Sequence, residues 1–191
     1  MPRRNTISRT AVAAVSGVLV MGGMISLSKA FPAHIMAFFV QPAATITSIF
    51  LGAPLLRTDE GFLIEASRPF LIVAECSGVL FFSVLLSLLV FLAVKSVPLR
   101  TLAVSLPIII AASYCITILA NAMRLIGGWY VGTMLSAHSA SSAVSRVAHE
   151  WTGMLVFIPI LITVYYLAER RLCDETQSAK AAYKTPKKSR A

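Results

Sequence analysis

Four apolar stretches, each about as long as a bilayer's hydrocarbon core is thick, constrain this chain more than any other feature. They run from about Thr10 to Ser28, Gly78 to Val94, Thr101 to Met123 and Trp151 to Ala168, and a spanning helix needs roughly 20 residues. With 57% of 191 residues hydrophobic and only 13% charged, and a mean hydropathy of +0.79, the composition points the same way. The net charge of +9 would suit a nucleic-acid binder if its residues formed a patch. Here they sit at the chain ends and in one short turn, flanking the apolar runs, so they describe membrane orientation and no nucleic-acid partner is expected.

The expected fold class is an all-α membrane protein with about four transmembrane helices, an interfacial or re-entrant amphipathic helix and a short external hairpin. Arg3, Arg4 and Arg9 precede the first span, Lys95 and Arg100 bracket the turn between the second and third, and Arg170 and Arg171 follow the fourth. Short loops rich in Lys and Arg stay cytoplasmic, which places both termini inside a cell inner membrane and leaves 29–77 and 125–150 external. The first span also has the look of a signal peptide ending at Ser28-Lys29-Ala30, but its apolar stretch exceeds the usual ~7 to 15 residues, so an uncleaved anchor is expected. Within 31–54, Gln41, Thr45 and Ser48 form a polar stripe opposite Phe38, Ile46, Ile49 and Phe50, hence the interfacial reading, with a fifth span as its alternative. Residues 55–73 alternate rather than wind and read as the hairpin. A single polytopic domain over 1–173 with a disordered basic cytoplasmic tail at 174–191 accounts for the organisation.

Alternating chain direction brings Cys76 at the start of the second span, Arg124 at the end of the third and His149 at the start of the fourth to one bilayer face. An unpaired guanidinium in so apolar a setting costs several kcal/mol, so Arg124 needs a partner or a substrate. Asn121 stands three residues before it on the same helix face, able to orient the guanidinium or share an acceptor with it. Cys76 lies between Glu75 and Ser77-Gly78, where a helix N-terminus and a nearby cation favour the reactive thiolate. His149 can pair with that thiol and protonate a leaving amine. Cys115 is mid-span and Cys173 cytoplasmic, His34 and His138 read as interfacial polar residues, and no metal-ligand spacing or cofactor motif occurs.

Glu75-Cys76-Ser77-Gly78, Asn121-Ala122-Met123-Arg124 and His149-Glu150-Trp151-Thr152-Gly153, in this order at span ends, resemble the signature of the exosortase/archaeosortase family over roughly 41–162. The resemblance implies a membrane cysteine protease or transpeptidase that cleaves C-terminal sorting signals of exported proteins at the outer membrane face. Its substrates would be membrane-anchored proteins ending in a short motif, a transmembrane helix and a basic tail. It implies Cys76 as nucleophile, His149 as acid/base and Arg124 as oxyanion or carbonyl stabiliser, with Asn121, Ser77, Gly78, Glu75 and Glu150 binding or orienting substrate. Two departures stand out: the chain is short for the family, a minimal core, and Glu75 takes a place where a small residue is frequent. Its carboxylate opposes a thiolate unless it points away or pairs with Arg68 or Arg124. The alternative function is a non-catalytic membrane scaffold or assembly partner in envelope protein or polysaccharide export. A small transporter is a weaker third option, since broken-helix pairs are lacking.

Overall fold

The computed structural model describes residues 3–96, 99–137 and 151–171. Five helical runs and one small sheet make up this part: α1 (Arg3–Ala30), α2 (Pro32–Leu51), a sheet of β1 (Leu55–Arg57), β2 (Phe62–Ile64) and β3 (Phe70–Ile72), then α3 (Val79–Ser96), α4 (Leu99–Ala137) and α5 (Trp151–Arg171). All five helices are long and apolar enough to cross a bilayer by length and composition. Apolar side chains such as Leu19, Ile49, Leu80, Val104 and Leu155 project outward from them, the pattern of a multi-pass membrane protein, in which lipid replaces water around the outside.

α3 is the central post. Its sequence is apolar on every side, and that is the mark of a helix enclosed by others. α1 runs antiparallel along it: Gly17 comes close enough that a Cβ would lie 3.4 Å from the Ser87 carbonyl oxygen, while Val20 and Met24 pack against a cluster containing Phe82, Leu86 and Val90. Small residues at such a crossing let backbones approach, which is how helices gain packing energy in lipid. On another side, Phe81 of α3 stacks on Phe157 of α5 with ring centroids 4.4 Å apart, and Leu85 and Ala120 complete that cluster.

Residues 31–54 contain a continuous helical run of 20 residues, where four spans and an interfacial segment were expected. It is not uniform. Pro42 has no N–H and its ring crowds the carbonyl four residues back, that of Phe38. The helix answers by widening into a π turn over Met36–Val40, and the Tyr114 hydroxyl of α4 donates to the Phe38 carbonyl at 2.7 Å. A carbonyl freed by proline is thus satisfied from a neighbouring helix, as a low-dielectric setting demands. Gly52 ends the run in a left-handed conformation, φ +60°, with Pro54 shortly after.

Where a hairpin was expected, the chain forms three antiparallel strands in the order β1-β2-β3, with Leu55 opposite Ile64 and Ile64 opposite Phe70. Phe62, Ile64 and Ile72 turn inward onto Val40, Ala43 and Ala44 of α2 and Leu125 of α4. Gly61 is required: a Cβ there would stand 2.2 Å from the Ile72 carbonyl oxygen.

The largest departure concerns α4. Apolar length alone ends this span at Met123 and leaves 125–150 as external loop, yet the helix continues unbroken to Ala137. Gly127 and Gly128 did not stop it because tertiary contacts hold the extension: Trp129 Nε1 donates to the Arg68 carbonyl at 3.1 Å, and the Arg68 guanidinium donates to the Gly132 carbonyl. Thirty-nine residues at ~1.5 Å each reach ~58 Å, well past a hydrocarbon core of ~30 Å. Arg124 is therefore inside a helix, not at its end.

Candidate functional site

The chain enters α3 through a 3-10 turn, Ala74–Cys76, followed by Ser77 and Gly78. Gly78 takes φ +71°, a conformation that costs a residue with a side chain about 1–2 kcal/mol. It is also pressed by a neighbour, since a Cβ there would sit 3.3 Å from Asn121 Cγ and 3.5 Å from Thr117 Cγ2. Ser77, buried, accepts the Val79 N–H on its hydroxyl at 3.4 Å.

That turn is gripped from α4. Asn121, fully buried, donates from Nδ2 to the Cys76 carbonyl at 2.7 Å, and Arg124 donates to the same oxygen at 3.2 Å. Asn121 and Arg124 thus share an acceptor, one of the two arrangements their spacing allowed, and the acceptor is the backbone of the cysteine. Ser113, Thr117 and Asn121, all buried, recur every four residues and lead to Arg124, so α4 carries a polar stripe within its apolar length. The Arg124 Nε and the Asn121 Oδ1 are buried with no hydrogen-bond partner among the described residues.

α5 closes the third side. A Cβ on Gly153 would lie 3.3 Å from Arg124 Cδ, and the guanidinium carbon stands 5.7 Å from the Phe157 ring centroid. The start of α5 therefore meets Arg124 at the level of the Cys76 turn, as chain direction required. His149 and Glu150, four and three residues before Gly153, lie outside the described residues, as do His138, Cys173 and the 174–191 tail. Phe157 was not singled out from the sequence, although its place four residues after Gly153 puts the two on one helix face.

Cys76 is a free, half-buried thiol residue whose side chain packs at the edge of the cluster formed by Val40, Ile64, Ile72 and Leu125. Glu75 is exposed and pairs with neither Arg68 nor Arg124. It lines, with Lys29, Ser77, Gly78 and Arg124, a groove of about 850 Å³ whose lower walls include Phe81, Val84, Phe157 and Leu161. No group of three or more His, Cys, Asp or Glu able to hold a metal occurs among the described residues. Cys115 faces outward from the middle of α4, less than two turns before Asn121. His34 is exposed and meets Phe31 edge-on at 5.7 Å.

No protein-family model, curated protein or solved structure matches this chain. A guanidinium grips the backbone carbonyl of a cysteine on a fixed turn, the thiol packs beside Val40, Ile64, Ile72 and Leu125, and the residues on either side of it line a groove polar at one end and apolar below. A cation whose Coulomb interactions are weakly screened by water acts strongly on negative charge forming beside it.

Proposed function

We propose that this chain is a membrane-embedded cysteine peptidase or transpeptidase of the exosortase kind, acting on the C-terminal sorting signals of exported, membrane-anchored proteins. The observation that supports the reading is the shared grip of Asn121 and Arg124 on the Cys76 carbonyl, which ties the backbone of a thiol-bearing residue to a guanidinium that lines the groove. Cys76 Sγ passes its proton to His149 and attacks the scissile carbonyl carbon, and Arg124 stabilises the oxyanion. His149 gives its proton to the leaving amine as the C–N bond breaks, leaving a thioester that water or an acceptor amine resolves. The basic residues flanking the spans support cytoplasmic termini in a cell inner membrane, with this cleft on the outer face.

A second reading, a non-catalytic scaffold for envelope protein or polysaccharide export, draws on the packing of Cys76 against apolar side chains, which also suits a structural cysteine. Processing separates the two. A reporter ending in the sorting signal of a candidate substrate is co-expressed with the full chain, and cleavage is followed by the loss of its anchor. Cys76→Ala and His149→Ala should abolish cleavage, and Arg124→Ala should reduce it by about 10²–10³-fold, with membrane levels unchanged. Cleavage undiminished by Cys76→Ala would sink the peptidase reading.

A further inference from the structure

The peptidase reading counts Glu75 among the residues that bind or orient substrate but gives its carboxylate no particular group to bind. That carboxylate makes no ion pair or hydrogen bond with a described residue, because Arg68 is turned to the Gly132 carbonyl and Arg124 is committed to the Cys76 carbonyl. It stands instead at the polar end of the groove between α1, α3 and α5. This groove opens sideways: Leu80 and Ile158 on its walls are 66% and 52% exposed, so in a bilayer its occupant arrives from the lipid.

We propose that this groove seats the outer end of a substrate's transmembrane helix, and that Glu75 caps the helix's N-terminus. This rests on the peptidase reading above. A helix whose N-terminus faces outward carries unpaired backbone N–H groups in its first turn and the positive end of its dipole, both of which a carboxylate satisfies. A phospholipid's phosphate, which Glu75 repels and Lys29 and Arg124 attract, is the competing occupant. Lys29 and Arg124 also line the groove and oppose a helix N-terminus. Lys29 is exposed at the end of α1, where water and salt screen its charge, while the Arg124 guanidinium lies against Phe157 and the Cys76 carbonyl. Below the carboxylate, α3 and α5 run parallel with Phe81 and Phe157 stacked, and Val84 and Leu161 continue the two walls. Side-chain rows of that kind receive the ridge of a third helix. Capping the helix at Glu75 leaves the residues preceding it, still extended, beside the Cys76 turn, so cleavage falls just outside the membrane.

The test uses the full chain with Cys76→Ser, Cys115→Ser, Cys173→Ser and Ile158→Cys, reconstituted in phosphatidylethanolamine/phosphatidylglycerol vesicles. The probe is a synthetic single-span peptide with an uncharged lead, a 20-residue Leu/Ala helix and a Lys/Arg tail, carrying one cysteine at successive positions. Disulfide formation should concentrate in the first two turns of the peptide with helical periodicity. Glu75→Gln should lower it about two- to five-fold, and Glu75→Asp should restore most of it. Crosslinking that is absent, equal along the whole peptide or indifferent to Glu75→Gln overturns the proposal. So does labelling of position 158 by a photoactivatable phospholipid that added peptide does not displace. Because Cys76 is absent, the result is independent of catalysis: processing by the native chain without a groove crosslink sinks this inference alone, and a crosslink without processing sinks the peptidase reading alone.

Discussion

Replacing Gly78 by alanine tests whether the turn before α3 is built around its contact with Asn121. The left-handed backbone, φ +71°, costs alanine about 1–2 kcal/mol. The added methyl would also meet Asn121 Cγ at 3.3 Å, and Asn121 is fully buried, with its Nδ2 held at 2.7 Å from the Cys76 carbonyl. Shifting it by a few tenths of an ångström weakens that hydrogen bond, whose net worth is about 0.5–1.5 kcal/mol. Arg124 still donates to the same oxygen, so the full penalty of an orphaned carbonyl does not apply, and the expected total is about 2–3 kcal/mol. Gly52→Ala is the internal control: its φ is +60° with nothing within 4 Å of the added Cβ, so it should show only the backbone part, about 1–2 kcal/mol. Equilibrium unfolding of the purified chain in mixed micelles measures both. Cleavage of the reporter substrate should fall for Gly78→Ala and hold for Gly52→Ala. Equal destabilisation by the two variants, with cleavage intact in both, would refute the idea that Asn121 positions the Cys76 turn.

Three further outcomes follow from the packing. Gly61→Ala places a methyl 2.2 Å from the Ile72 carbonyl oxygen, which requires β2 and β3 to part, so protease resistance of the 55–72 sheet should be lost while α1 and α3 remain protected. Tyr114→Phe removes the donor to the Phe38 carbonyl and should cost about 1–3 kcal/mol, but less in a Pro42→Ala background, where a backbone N–H returns at residue 42; a double-mutant cycle in unfolding free energy reads the difference. Arg124→Lys should lose most processing activity despite keeping the charge, because an ammonium lacks the planar fork that reaches the Cys76 carbonyl while lying against Phe157; activity close to the native level would count against that geometry.

Much of this arrangement was legible in the residues, and where it was not there are physical reasons. Apolar length fixed the helices around 10–28, 78–94 and 151–168, because in lipid the backbone has few alternatives to a helix. Asn121 and Arg124 share a helix face by their spacing, although only the fold shows that their common acceptor is the Cys76 carbonyl. The extension of α4 was hidden because Gly127 and Gly128 weaken a helix locally, and the contacts that rescue it come from Arg68, some sixty residues away. The continuous run over 32–51 was obscured by Gln41, Thr45 and Ser48, whose polarity resembles an interfacial face; both hydroxyls among them are bonded to main-chain carbonyls, Thr45 to Gln41 and Ser48 to Ala53. Nothing in the alternation over 55–73 distinguished two strands from three, since Gly61 marks a close backbone approach only once β3 is in place. Glu75 read as an obstacle to a thiolate, and its position at the groove's polar end depends on where α1 and α5 stand.

The central claim is that the imidazole of His149 joins the thiol of Cys76 and the guanidinium of Arg124 in one cleft. His149→Cys, introduced with Cys115→Ser and Cys173→Ser, permits a direct measurement in intact membranes: the rate at which the shortest bis-alkylating reagents bridge position 149 to Cys76. Rapid bridging at 149, far exceeding that of a cysteine placed at Leu155 or Ile162 along α5, is the expected result. A bridge that forms no faster at 149 than at those positions would contradict a shared site and remove the basis for the proposed chemistry.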